Sequence, residues 1–159
     1  MWDAPLIAPD QAVDAAWIDY NGHLNMAYYN VLFDRGVDHV YDLIGIGEQY
    51  VHEQQGSCFT MEVHVNYLSE VTLGDPVSVS FQLIDFDAKR LHFFQEMTNR
   101  TTGETAATSE QLALHVDMAS RRSAPFPEPA LEQIAALHAA HQNLPRPELL
   151  GRVISIKRR

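Results

Sequence analysis

An α+β fold, in which a curved antiparallel sheet wraps one long helix, is predicted by three features of this 159-residue chain. From Met26 to Ile44 apolar residues cover most of a helical circumference, while Asn30, Asp34, Arg35, Asp38, His39 and Asp42 keep to one narrow stripe. A helix of that kind is enclosed by other structure rather than laid on a surface. After a loop the apolar period drops from 3.6 to 2 and holds as far as Asp117. Short turns join the alternating segments, which implies a meander of antiparallel neighbours. These segments run about ten or more residues, long against a usual ~5–6, as a sheet curved around a helix requires.

The elements follow in order. Gln11–Ile18 is predicted as a first short strand. Asn25 is placed as the helix N-cap, because its side chain can accept from the first-turn amides. Tyr29, Phe33, Val37, Val40 and Ile44 form the enclosed surface, and Gly45 and Gly47 are the stop signals. Phe59, Met61, Val63, Val65 and Tyr67 then alternate with Thr60, Glu62, His64 and Asn66 as a half-buried strand. Leu73-Gly74-Asp75-Pro76 turns the chain into a second strand, with Val77, Val79, Phe81 and Leu83 on one face. A third strand carries Leu91, Phe93, Gln95 and Met97 against His92, Phe94, Glu96 and Thr98, and Glu104–Asp117 is the long last one. Pro125, Pro127 and Pro129 break the pattern. Ala130–Gln142 reads as a short amphipathic helix with Leu131, Ile134 and Leu137 inward. The expected organisation is therefore a main unit over 1–124 and a tail with a short helix over 125–159.

Composition narrows the function. A chain with 46% hydrophobic and 20% charged residues fits one globular domain with a core of its own. A net charge of −10 argues against a nucleic-acid partner. The apolar stretches are too short or too often interrupted by aspartate to cross a bilayer. Met1-Trp2-Asp3-Ala4-Pro5 lacks the basic and apolar regions of a signal peptide. Cys58, the one cysteine, excludes an internal disulfide and suits a reducing compartment, so a cytoplasmic location is expected.

The most informative segment is Trp17-Ile18-Asp19-Tyr20-Asn21-Gly22-His23-Leu24-Asn25. It puts a carboxylate, an imidazole and a capping amide immediately before a helix N-terminus, where backbone N–H groups are unpaired and the partial charge is positive. An acid or base beside such an anion hole suits acyl chemistry. A thioester asks for little more, because a thiol with pKa near ~8.5 leaves as thiolate without a strong acid.

Asp19-Tyr20-Asn21-Gly22-His23-Leu24-Asn25, with Tyr28 and Tyr29 behind it, resembles without gaps the D-x-x-G-H-[VL]-N signature of hotdog-fold acyl-CoA thioesterases of the 4-hydroxybenzoyl-CoA type. Tyr67-Leu68, Gly74-Asp75 and Val77 resemble the strand–turn–strand segment of those proteins. The likeness spans about residues 10–120. It implies a hotdog fold, an acyl-CoA substrate, no cofactor and a homodimer, alone or as a dimer of dimers, with sites between subunits. Asp19 matches the catalytic carboxylate, which either attacks the carbonyl or activates water. The backbone N–H of Met26 matches the donor that polarises the thioester oxygen. A narrower likeness, carried by Trp17–His23, Glu62-Val63-His64 and Glu110–Asp117, is to thioesterases linked to carnitine degradation. That implies a small trimethylammonium acyl group such as betainyl.

Other residues take less definite roles. His23 either orients the loop through its ring nitrogens or touches substrate, and in both cases lines the site. Asn25 is a cap first and a substrate contact second. Trp17, Tyr20, Tyr28, Tyr29 and Phe59 could offer aromatic faces to a cationic acyl group, or serve as core. Glu62 and His64 share one face of a strand, as a solvated or interface pair or as a polar contribution to the site. Coenzyme A phosphates would need a basic patch, for which Lys89-Arg90, Arg121-Arg122 and the tail Lys157-Arg158-Arg159 are the candidates. His138 and His141 lack a third metal ligand, so no metal is expected. Asp19 and His23 leave open a hydratase of the same fold, although that loop carries proline where Gly22 follows Asn21 here. A non-catalytic acyl-CoA binder, with Asp19 a turn residue, is the third reading.

Overall fold

The computed structural model describes residues 2–156 and Arg158, so Lys157 and Arg159 of the basic tail lie outside the described residues. The elements are β1 (Leu6–Ile7), a single 3-10 turn (Ala15–Trp17), α1 (Met26–Ile44), α2 (Glu48–Gln54), β2 (Gly56–Tyr67), β3 (Val77–Phe86), β4 (Arg90–Asn99), β5 (Thr105–Asp117), β6 (Arg122–Ser123) and α3 (Glu128–His141). The sheet runs β1-β3-β4-β5-β2, all pairs antiparallel, with β6 added beside β5. Its inner face wraps α1, as expected of a hotdog fold.

α1 has the predicted bounds because its ends are encoded locally. The Asn25 side chain accepts from the Ala27 N–H at 3.0 Å, and Gly45 closes the helix in the left-handed region at φ +80°. Tyr29, Leu32, Phe33, Val37, Val40 and Ile44 are buried against the sheet. Gly36 lets the helix approach closely, since a Cβ there would stand 2.8 Å from Val79 Cγ1. The same contact is tied by polar groups. Gln95 donates to the Phe33 carbonyl at 3.1 Å, and Gln111 donates to Gln95 and to Ser109, each at 3.0 Å. Every partner in that buried network is hydrogen-bonded, which avoids the cost of stranded polar atoms.

Three expectations need correction. Gln11–Ile18 is not a strand: Gln11 makes one isolated bridge to Val77, and the Asp14 side chain accepts from the Ala16 N–H and turns the chain instead. The first strand is the shorter Leu6–Ile7, upstream. Strict alternation in β2 fails at Met61, where a bulge between Thr60 and Glu62 inserts one extra residue. Val63, Val65 and Tyr67 therefore face α1, whereas Phe59, Glu62 and His64 face away from it. The stretch after Gly47, expected as a loop, holds the short α2, which buries none of its residues fully.

α3 begins two residues earlier than expected and closes one end of the core with Ala130, Ile134 and Leu137. Its His141 is buried, accepting from the Leu83 N–H at 3.0 Å through Nδ1 and donating to the Asp3 carbonyl at 2.9 Å through Nε2. Among the described residues no helix is long and apolar enough to cross a membrane.

Candidate active site at the start of the enclosed helix

The loop before α1 is a closed turn. The Asp19 N–H donates to the His23 carbonyl at 3.0 Å, the Gly22 N–H donates back to the Asp19 carbonyl at 2.9 Å, and Ile18 bridges Leu24. Gly22 sits at φ +84°, a conformation that side chains rarely adopt. The turn presents the half-buried Asp19 carboxylate beside the helix. Oδ1 accepts from the Asn21 N–H at 2.8 Å and Oδ2 accepts from Asn25 Nδ2 at 3.3 Å. Asn25 thus does two things with one amide: its oxygen caps α1 and its nitrogen holds the carboxylate. The N–H of Met26, at the head of the helix, has no acceptor among the described residues.

A cavity of about 260 Å³ opens at this point, lined by His23, Met26, Tyr29, Tyr67, Ser69 and Glu70. The His23 Nδ1 donates to the Leu24 carbonyl at 3.2 Å, and the ring lines the cavity with Nε2 3.9 Å from Glu70. The Tyr29 and Tyr67 rings meet edge to face at 5.1 Å. Their hydroxyls turn away to backbone, Tyr29 donating to the Ser69 carbonyl and Tyr67 to the Met26 carbonyl. Burial pushes both phenols above their ordinary ionisation range, so both stay neutral.

The remaining candidates are distributed unevenly. Trp17 stacks on Tyr28 at 5.3 Å and carries the Arg35 guanidinium 5.1 Å from its ring centre. Phe59 carries Arg121 in the same way at 5.4 Å, and Tyr20 is 98% exposed. Of the five aromatics considered for a cationic group, Tyr29 alone lines the cavity beside Asp19. The sequence marks Tyr67 only as a strand residue and gives Glu70 no role; the signal for Tyr67 is its place at the end of β2.

Glu62 and His64 lie on the other face of the sheet. They line a separate cavity of about 510 Å³ with His92 and Glu110, which pair at 2.8 Å. The basic pairs lie toward the far end of β5 from Tyr67. Lys89 bonds His115 through its carbonyl, Arg121 ends the β5–β6 turn and Arg122 begins β6 opposite Asp117, and Arg90 is already engaged by Asp87, its Nε donating at 2.8 Å. From Ala107, opposite Tyr67, to Asp117 the strand covers roughly 30 Å at ~3.3 Å per residue. Within one chain, therefore, these basic residues do not reach Asp19.

The thioesterase-like superfamily profile matches residues 13–134. A betainyl-CoA thioesterase of Pseudomonas aeruginosa is 42% identical over 140 residues, covering 88% of each chain. An L-carnitine dehydrogenase/betainyl-CoA thioesterase of Rhizobium meliloti is 36% identical; the match takes in 97% of this chain but 31% of that longer protein. A Staphylococcus aureus protein solved in complex with CoA superposes with a TM-score of 0.90 at 33% identity, covering 99% of this chain and 98% of its own. The chain belongs to the thioesterase-like superfamily and is a thioester hydrolase.

Proposed function

We propose that this protein hydrolyses a small acyl-CoA, betainyl-CoA being the preferred ester, to the free acid and CoA. The observation that carries the reading is the double use of Asn25, which ties the Asp19 carboxylate to the capped end of α1. The thioester carbonyl rests against the Met26 N–H, where negative charge developing on oxygen meets an unpaired donor and the positive end of the helix. Asp19 then either attacks the carbonyl carbon, giving an anhydride that water opens, or takes a proton from an attacking water. In both routes the C–S bond breaks and the thiolate departs unaided. The chemistry asks for no group beyond the substrate. The names of the relatives support the trimethylammonium acyl group.

The working unit is a homodimer. β2 pairs only with β5 among the described residues, and its free edge exposes Met61, Val63, Tyr67 and the adjoining Leu68. A long exposed apolar edge calls for a partner. Two copies related by a two-fold axis pair their β2 edges antiparallel. That brings the Tyr67 end of one strand, beside Asp19, to the Phe59 end of the other, beside Arg121 and Arg122. The basic residues that one chain holds far from its own site then serve the CoA phosphates at its neighbour's. A CoA ester as substrate and a single reduced cysteine suit the cytoplasm.

Purified protein is mixed with a panel of acyl-CoAs, betainyl-CoA included, and free thiol is followed. Thiol release from betainyl-CoA that Asp19→Asn abolishes is the expected result. Undiminished release by that variant refutes the role of Asp19. Gel filtration that finds a stable, active monomer refutes the shared site.

A further inference from the structure

We infer that the cavity formed by Tyr29, Tyr67, Ser69 and Glu70 is the recognition pocket for the quaternary ammonium group, with Tyr67 supplying the ring face and Glu70 the counter-charge. The inference rests on the reading of the protein as a betainyl-CoA thioesterase and names the residues that select the acyl group.

Position comes first. Met26, the first residue of α1, lines the cavity, so an acyl chain whose carbonyl lies at the head of α1 has this space beside it. A betainyl chain places only one methylene between carbonyl and nitrogen, so its trimethylammonium head must lodge within a few ångströms of the reacting carbon. The cavity, at about 260 Å³, has room for a group of that size.

Chemistry comes second. A quaternary ammonium has no N–H to donate, so hydrogen-bond acceptors cannot select it. Aromatic faces and an unpaired carboxylate can. Both tyrosine hydroxyls are spent on backbone carbonyls, leaving rings rather than polar tips at the wall. Tyr29 is buried at the closed wall, while Tyr67, 42% exposed in the single chain on the edge that a second copy pairs with, stands at the mouth. Among the described residues the Glu70 carboxylate has no lysine or arginine partner, its one ionic neighbour there being His23 at 3.9 Å, and its side chain is 73% exposed. The other aromatics of this region are already committed, Trp17 to Arg35 and Tyr28 to Trp17. Glu62, which shares a strand face with His64, lines the cavity on the opposite face of the sheet.

The test compares betainyl-CoA with 3,3-dimethylbutyryl-CoA, which replaces the charged nitrogen by carbon at the same shape. The readout is the ratio of kcat/KM for the two esters. The wild type is expected to favour the charged ester. Tyr67→Leu should reduce the ratio by on the order of 2–30-fold, the range of a cation–π contact. Glu70→Gln should reduce it about 1.5–5-fold, an exposed charge being partly screened. Tyr67→Phe, which keeps the ring and loses only the hydroxyl bond to Met26, should retain it. Circular dichroism melts establish that each variant is folded. A wild-type ratio near one, or a ratio that neither Tyr67→Leu nor Glu70→Gln moves, overturns the pocket and leaves the thioesterase reading standing. No thiol release from betainyl-CoA by the wild type overturns that reading and the pocket with it.

Discussion

Asn25 allows helix stability and catalysis to be separated at one position. Its oxygen accepts from the Ala27 N–H at 3.0 Å and its nitrogen donates to Asp19 Oδ2 at 3.3 Å. Asn25→Ser keeps a capping oxygen and loses the donor, whereas Asn25→Ala loses both. Serine and asparagine are equivalent caps, so the Ser variant should melt within about 1 °C of wild type, while alanine costs about 1 kcal/mol. In a chain of this size that lowers Tm by roughly 2–4 °C. The lost donor served a charged acceptor, a bond ordinarily worth ~1.5–3 kcal/mol. At 3.3 Å and half-exposed it sits below that range, and about 1 kcal/mol is the reasonable figure. Both variants should therefore lose roughly fivefold in kcat/KM. Thermal melts and thiol-release kinetics on the two proteins read the terms separately. A Ser variant with full activity would refute the link between Asn25 and Asp19, and a Ser variant as unstable as Ala would refute the cap.

Three further outcomes are expected. Gly36→Ala gains about 1 kcal/mol of helix propensity but drives a Cβ to 2.8 Å from Val79 Cγ1, and overpacking of ~1–3 kcal/mol wins, so denaturant melts should show net destabilisation. Asp75 accepts from the Thr72 N–H and hydroxyl, each at 2.9 Å, and from Asn99 at 3.1 Å, bonds that hold its carboxyl down at about 2. Its contribution to stability is therefore complete above the unfolded value of ~3.9 and lost as pH falls toward 2, so wild type and Asp75→Ala should melt apart at pH 7 and converge near pH 2. Cys58 packs against the core, and burial pushes its thiol up to about 12; it should resist a thiol reagent at pH 8 until the protein is unfolded, and rapid native labelling would refute this.

Features encoded by neighbouring residues were readable in the sequence. The bounds of α1 follow from Asn25 and Gly45, and the faces of β4 and of β3 as far as Leu83 from alternation, a shift at Ile84 ending it in β3. Asp19 and the head of the helix were legible because the whole turn lies within a few residues. What escaped was set at long range or by weak local signals. The Met61 bulge reverses the faces of β2 without any glycine or proline to announce it. α2 lacks a fully buried face and hence any apolar period. Tyr67 reaches the site across forty-one positions of chain, through its bond to Met26, and no spacing rule connects them.

The buried imidazole of His141 has one further consequence. Its Nδ1 must stay bare to receive the Leu83 amide, and burial keeps its ionisation below the usual histidine range. The neutral ring therefore supports the native state fully above pH ~6.5 and less as acid is added. Because acid puts its proton on Nδ1 and leaves the Nε2 donor to the Asp3 carbonyl in place, acidification releases the Leu83 amide while the bond to Asp3 persists. Amide exchange at Leu83 should therefore accelerate with acid before clipping near Asp3 does.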